Sequence, residues 1–333
     1  MKSADFDFHL PQSLIALEPA PERDASRLLV LGPDGTVEHR RFSEITRYLA
    51  PGDMLLLNRT KVLPVRLSGV KPTGGRLEFV LVREVRHGLW EILCRGKYTG
   101  SLEVSGRLRA EIREGRTAEL LHDGDLEEIL WEVGAMPLPP YIKRKPAEAD
   151  KSRYQTVYAS AAGSIAAPTA GLHFTQGLLK EISDKGVLVR YLTLHVGKGT
   201  FMPVRADDLE DHAMEAEYFE VERDLVEEIG SLAGRLFAVG TTTTRAIEGL
   251  LGGKFQPAGN GGGPIRGRTD IFIRPGHTFR AVRGLVTNFH LPRSTPLMLA
   301  SALAGRERLL RAYAEAVRER YRFFSYGDAM LIL

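Results

Sequence analysis

The sequence predicts an α/β protein: a layered α/β core with a small antiparallel β-barrel domain inserted into it. Three observations lead there. Short apolar runs alternate with helical patterns near the start of the chain and again beyond Asp150. Between them, from about Arg66 to Ala149, the chain becomes a series of short β-forming segments separated by turn residues. A chain of 333 residues has room for roughly two domains. The expected division is a discontinuous α/β core of 1–65 and 150–333, with the inserted barrel at 66–149.

Taken in order, Arg27 to Val30 and Met54 to Leu57 read as buried strands, with a helix from Phe42 to Leu49 that Ser43 would cap. The segments LEFVLV, LWEILC, RLRAEI and AELL follow, separated by TGG, HG, SG, EG and DG turns. Strands at that spacing suit a barrel that closes its own edges. The prolines of MPLPPYIKRKP make an extended exit linker. Thr175 then caps a helix through Asp184, and VLVRYLTLHV reads as a strand. The amphipathic VERDLVEEIGSLAG leads to the strand RLFAVG, and TTTT opens a helix that ends near LLGG. GGKFQPAGNGGGP is a loop by composition. Strands around DIFIRP and LVTNFH precede two last helices, one capped by Ser294 and one from Arg306 to Arg320.

Composition narrows the function. Hydrophobic residues at 43% and charged residues at 26% describe a globular protein, which excludes disordered and fibrous classes. Cys94 is the only cysteine, so an intramolecular disulfide and a cysteine metal cluster within the chain are excluded. Asp5 and Asp7 stand where an export signal needs an apolar run, and the uncharged stretch Tyr154 to Leu179 is too polar and too broken to span a membrane. A cytoplasmic protein with no membrane partner is expected. No element shows an unpartnered apolar face, so a monomer is expected as well.

The net charge of +3 is too small to identify a nucleic-acid binder. Its distribution is uneven. Residues 207–228 hold eleven acidic groups and one Arg, whereas residues 264–293 hold six Arg and one Asp. Either these are two solvated faces of opposite sign, or the arginines contact phosphates. Arg266, Arg268, Arg280 and Arg283 are the candidates there, with Arg59, Lys61, Lys143 and Arg144 as further ones.

Several motifs could carry chemistry. In V-G-T-T-T-T-R, Val239 to Arg245, a buried strand breaks at Gly240 and enters a helix through Thr241, Thr242 and Thr243. Such a helix start offers N–H groups, hydroxyls and a positive dipole to a carboxylate or phosphate. The bland alternative is a capped helix that binds nothing. It is neither a Walker loop nor a G-x-G-x-x-G fingerprint. In G-S-I-A-A-P-T-A-G-L-H-F-T the small residues around Pro168, Thr169 and Gly171 let the main chain approach a flat ligand, and His173 follows. In L-H-V-G-K-G-T-F, His195 and Lys198 stand at a strand end beside glycines. Histidines in such places serve as proton carriers or as satisfied structural groups. T-N-F-H-L-P-R places Asn288, His290 and Arg293 before a helix, and Tyr326 and Asp328 lie in a polar loop. No metal-ligand motif is present, so no metal and no resident cofactor are expected.

Together these segments resemble the S-adenosylmethionine:tRNA ribosyltransferase-isomerases of queuosine biosynthesis. The resemblance runs nearly end to end, through DFDFHLPQSLIALEPAPERDASRLLVL, GDMLLLNRTKVLPVRL, MPLPPYIKR, RYQTVYA, GSIAAPTAGLHFT, LTLHVGKGTFMPV, VGTTTTR, TDIFIRPG, LVTNFHLPRSTPLMLASALAG and YRFFSYGDAMLI. It implies an α/β core with an inserted β-barrel. It also implies transfer of the ribosyl moiety of S-adenosylmethionine to 7-aminomethyl-7-deazaguanine at the tRNA wobble position, with isomerisation to epoxyqueuosine and release of adenine and methionine. S-adenosylmethionine would then be a consumed co-substrate.

That reaction needs a base beside the sulfonium, an acid for departing adenine and a neutral amine. His173 and His195 are the candidates for the proton steps, and Tyr326 and Asp328 for positioning sugar hydroxyls. Pro168, Thr169, Gly171 and Gly240 to Thr243 are the candidates for holding S-adenosylmethionine, its carboxylate or ribose at the helix start. Two positions depart from the family pattern: Glu215 stands where a second histidine is usual, and Lys198 where a small residue is common. An RNA-binding protein that has lost turnover and a different nucleoside-handling enzyme are the competing readings. Adenine release that depends on modified tRNA separates all three.

Overall fold

The structure is a computed structural model describing residues 1–197, 206–258 and 263–333. Its strands are β1 (Arg27–Leu31), β2 (Val37–Arg41), β3 (Met54–Asn58), β4 (Thr60–Val62), β5 (Arg66–Val70), β6 (Arg76–Arg86), β7 (Leu89–Cys94), β8 (Gly100–Ser105), β9 (Leu108–Arg113), β10 (Thr117–His122), β11 (Ala161–Ser164), β12 (Leu188–Leu194), β13 (Glu217–Val221), β14 (Leu236–Val239), β15 (Gln256–Pro257), β16 (Ile265–Thr269), β17 (Val282–Asn288) and β18 (Ala329–Ile332). The helices are α1 (Leu126–Val133), α2 (Asp150–Arg153), α3 (Gln176–Asp184), α4 (Arg223–Gly230), α5 (Thr241–Leu251), α6 (Thr295–Ala304) and α7 (Arg306–Arg318). Packing divides the chain into two compact units, one of Met1–Thr60, Thr156–Ser160 and Pro168–Leu333, the other of Lys61–Gln155 and Ala161–Ala167.

The first unit is built on one ten-stranded sheet in the order β15-β16-β13-β12-β3-β14-β17-β18-β1-β2. Its centre, β12-β3-β14-β17, is parallel, and its inner strands β3 and β14 are accordingly buried at every position rather than alternating. β18 runs antiparallel to β17, and β1 lies parallel to β18. The carboxyl ends of the four central strands and the amino ends of β18 and β1 therefore share one edge of the sheet. Leu55, Leu57, Val239, Val286 and Leu331 pack on one face against Phe42, Phe174, Leu178 and Ile182. Phe174 is fully buried in that layer, and its truncation to Ala would cost about 3–5 kcal/mol.

The second unit holds a closed six-stranded barrel, β10-β7-β6-β5-β8-β9. Leu67, Phe79, Leu81, Ile92, Leu102, Ala110, Ile112 and Ala118 fill it, drawn from alternate positions of its strands. Closure leaves no free edge.

Several local expectations change. Phe42–Tyr48 is a 3-10 turn rather than an α-helix, and Glu44 rather than Ser43 caps it, its carboxylate accepting from Arg41 N at 3.0 Å. No strand forms at DIFIRP. The backbone there is used differently: Ile271 O accepts from Arg245 Nε and Ile271 N donates to Thr269 Oγ1, so the ladder ends at Thr269. Ser294 sits at the start of α6 but turns its hydroxyl back to Leu291 O. Thr175 caps α3 as expected, accepting from Leu178 N at 3.1 Å. α1, capped by Asp125, is a short helix that the β-rich reading of this region passed over.

Candidate active site

The shared edge of the large sheet collects most of the candidate residues. In open α/β sheets ligands bind outside the carboxyl ends of parallel strands, because loops diverge there and helix amino ends point at the gap. Here β12 delivers His195, β14 delivers Gly240 and α5, and β17 delivers Asn288. β18 is preceded by Asp328, and β1 by Ser26.

His173 is the most constrained of these groups. It closes the turn Thr169–His173 and is 4% exposed. Nδ1 lies 2.8 Å from Ser26 Oγ, and Nε2 lies 3.1 Å from Asn288 Nδ2. Phe42 covers the ring at 5.0 Å between centroids. Burial, with the charges of Arg23 and Arg322, pushes its pKa down to about 3, so the imidazole is neutral at pH 7.

Gly171, in the same turn, has a definite steric reason. A β-carbon there would fall 2.0 Å from Tyr158 Oη and 2.8 Å from Thr156 Cγ2. Pro168 and Thr169 form the start of the turn, so the three candidates there are one short piece of backbone.

Gly240 has φ +90°, a conformation that favours glycine, and it turns the chain from β14 into α5. Thr243 Oγ1 donates to Val239 O at 2.6 Å and Thr244 Oγ1 to Gly240 O at 3.1 Å, so these hydroxyls serve the helix itself. Thr242 differs. Its hydroxyl is buried and has no hydrogen-bond partner among the described residues. It lines a narrow cleft with Thr241, Arg245, Met214, Ile271 and Pro296. A β-carbon on Gly240 would stand 3.7 Å from Ala170 Cβ, which places the α5 start beside the Thr169–His173 turn.

His195 lies three strands away from Asn288 along the same edge, about 14 Å at the usual strand spacing. The two histidines therefore do not form a pair. His195 Nδ1 is 2.9 Å from Thr60 Oγ1, and its ring stacks on Tyr218 at 5.7 Å. Nε2 makes no hydrogen bond to a described residue. Burial lowers its pKa below the ordinary value, offset in part by Glu220. The tautomer that donates Nδ1–H to Thr60 carries a lone pair on Nε2.

Asp328 is buried with both oxygens occupied, Oδ1 by Arg27 N at 3.0 Å and Oδ2 by Arg322 N at 2.8 Å. Burial raises its pKa despite those bonds. It ties the start of β1 to the loop before β18. Tyr326 is also buried, and its carbonyl accepts from Arg322 Nη2 at 2.9 Å.

The basic candidates divide by their partners. Arg59 pairs with Glu222 at 3.4 Å and Arg266 with Glu220 at 3.1 Å. Lys61 pairs with Glu127 at 2.8 Å, and Arg144 forms a two-point pair with Asp150 at 2.7 and 2.8 Å. Among the described residues Arg283 bonds only carbonyls. Lys143, Arg268 and Arg280 are exposed and pair with no carboxylate among the described residues. Lys198 lies outside the described residues.

Three residues were not singled out from the sequence. Ser26 holds His173, and no local pattern marks it. Glu217 is 5% exposed, forms an ion pair with the buried Arg245, and accepts from Gly197 N at 3.1 Å. Tyr158 has a buried hydroxyl without a partner among the described residues, against Gly171. Glu217 sits in the acidic stretch and Arg245 at the end of the threonine run, so only the fold reveals their pairing.

No described helix is long and apolar enough to cross a membrane. The family described as "Queuosine biosynthesis protein" matches residues 3–332. The S-adenosylmethionine:tRNA ribosyltransferase-isomerase of Thermodesulfovibrio yellowstonii is 49% identical, with 100% of both chains covered. Its namesake from Pelotomaculum thermopropionicum is 51% identical, again over 100% of both. The crystal structure of S-adenosylmethionine tRNA ribosyltransferase from Thermotoga maritima is similar with a TM-score of 0.56 and 35% identity, covering 99% of this chain and 100% of that one. The chain belongs to the S-adenosylmethionine:tRNA ribosyltransferase-isomerase family of queuosine-biosynthesis transferases.

Proposed function

We propose that this enzyme transfers the ribosyl moiety of S-adenosylmethionine to the aminomethyl group of 7-aminomethyl-7-deazaguanine at the wobble position of a tRNA. The ribosyl unit is isomerised to the epoxycyclopentanediol of epoxyqueuosine, and adenine and methionine leave. S-adenosylmethionine is consumed, and no further cofactor takes part. The enzyme works as a cytoplasmic monomer.

One observation supports the siting of this chemistry: a single sheet edge gathers an anion-suited helix start, a glycine turn and two histidines with different surroundings. The α5 start, Gly240 to Thr243, holds the methionine carboxylate, with the unpartnered Thr242 hydroxyl turned to the ligand. Pro168, Thr169 and Gly171 line the nucleoside. His195, with Nε2 unengaged among the described residues, carries a proton for the base or acid step. His173, neutral and held at both nitrogens, supports the binding turn, and Asp328 and Tyr326 fix the loop beside it. Lys143, Arg268 and Arg280 lead the phosphate contacts, with Arg283, Arg266, Arg59, Lys61 and Arg144 behind them because most of these already face a carboxylate.

The test is nucleoside analysis of tRNA digested after incubation with S-adenosylmethionine and the enzyme. Epoxyqueuosine is expected in tRNA that carried 7-aminomethyl-7-deazaguanine. A product retaining the S-adenosylmethionine methyl group instead would replace ribosyl transfer with methylation.

A further inference from the structure

The Asn288 carboxamide can be oriented from its neighbours alone. Its nitrogen lies 3.2 Å from Phe324 O, which can only accept, so that atom is the NH2 group. The same NH2 lies 3.1 Å from His173 Nε2, which must then accept. Nδ1 of that neutral ring consequently carries the proton and donates to Ser26 Oγ at 2.8 Å, and Ser26 Oγ donates onward to Arg23 O at 3.4 Å. Every donor in the chain has an acceptor.

One acceptor is left over. Asn288 is 2% exposed, and its Oδ1 receives no hydrogen bond from any described residue. A buried amide oxygen left so has lost its water without a replacement, so a donor that arrives with a ligand relieves that penalty. The place is specific. Gly240 N donates to Val286 O at 2.8 Å, so β14 hands over to α5 beside the last two residues of β17, where Asn288 lies. A carboxylate on the α5 start and a donor on Asn288 Oδ1 are thus served from adjacent strand ends. An α-amino acid presents that pair of groups on one carbon.

We propose that Asn288 Oδ1 accepts a hydrogen bond from the α-ammonium of S-adenosylmethionine while the α5 start takes its carboxylate. This rests on the assignment of α5 to S-adenosylmethionine made above. Asn288 is then a substrate-binding residue, and the chain through His173 and Ser26 exists to aim it.

Calorimetric binding of S-adenosylmethionine and of 5′-methylthioadenosine, which lacks the amino-acid group, to the full-length enzyme tests this. Asn288→Ala is expected to weaken S-adenosylmethionine about 10- to 100-fold and 5′-methylthioadenosine by less than about 3-fold. Asn288→Asp keeps an acceptor and adds charge, and is expected to preserve or raise the preference for S-adenosylmethionine over 5′-methylthioadenosine. If the Ala variant does not fold, the Asp variant decides alone, and a lost preference overturns the proposal. Equal weakening of both ligands would assign Oδ1 to the nucleoside, and no weakening of either would make the residue structural; both refute the ammonium contact. Failure of the underlying assignment looks different: Thr242→Val would then leave S-adenosylmethionine binding unchanged whatever Asn288 does.

Discussion

The Arg245 guanidinium meets the Glu217 carboxylate inside the first unit, with side chains 9% and 5% exposed. Arg245 also reaches Ile271 O at 3.2 Å, and Glu217 takes the Gly197 N–H, so one ion pair fastens α5, the 271 loop and the segment after His195. Removing one partner strands the other charge. Glu217→Met or Arg245→Met should each lower stability by about 3–5 kcal/mol, whereas the double Met variant should recover part of that loss. Urea unfolding of the three variants checks the prediction, and additive losses would mean that the pair is not coupled.

The strand-to-helix turn gives a second expectation. Gly240→Ala forces a side chain into a left-handed conformation, and Thr242→Val removes a buried hydroxyl that serves no described residue. Both should raise the KM for S-adenosylmethionine, Thr242→Val by about tenfold, with tRNA affinity unchanged. Steady-state kinetics with each substrate varied in turn would show otherwise if the KM for tRNA moved instead.

The two histidines should separate. His195→Ala is expected to lose roughly 100- to 10,000-fold in turnover while still binding S-adenosylmethionine, because it takes away a proton carrier. Ser26→Ala, which only loosens His173, should act mainly through KM. Equal kcat losses in both variants would refute the division of labour.

Acid should destabilise the fold through its buried neutral imidazoles. His173 and His290 are pushed down to about 3 by burial. The unfolded chain therefore binds more protons than the native one between about pH 6.5 and 3, and stability falls as pH drops through that window. Each histidine adds up to about 1.4 kcal/mol per pH unit. His290→Gln should flatten the pH dependence of the urea midpoint; an unchanged slope would show that His290 is not buried in its neutral form.

Phosphate contacts should appear in the salt dependence of tRNA binding. Loss of a phosphate contact reduces the slope of log K against log salt by about 0.7 to 0.9. Arg268→Ala and Lys143→Ala should each show that change, while Arg144→Ala, whose partner is Asp150, should show a smaller one. Unchanged slopes for the first two would put the RNA face elsewhere.

Local signals carried the readable part of this molecule. The barrel was legible because turn residues recur at strand spacing, and the α5 start because a strand, a glycine and a run of threonines stand together in the chain. α1 was missed because eight residues give too short a period beside so many strands. The assembly around His173 was not legible. Its partners lie 147 and 115 residues away in sequence, and only the antiparallel return of β18 beside β17 brings that edge together. The separation of His173 from His195 was hidden for the same reason, since strand order is a property of the whole sheet. The individual ion pairs were not legible either: Arg266 faces Glu220 and Arg59 faces Glu222, partners that only the fold brings together.

Ribosyl transfer from S-adenosylmethionine to a modified tRNA base frees adenine. Chromatography of adenine, with the wild-type enzyme, S-adenosylmethionine and tRNA, measures that step. Adenine should appear in step with modified tRNA carrying 7-aminomethyl-7-deazaguanine and not with the same tRNA lacking that base. Adenine formed without tRNA, or none formed with the modified tRNA, would rule out ribosyl transfer to that base.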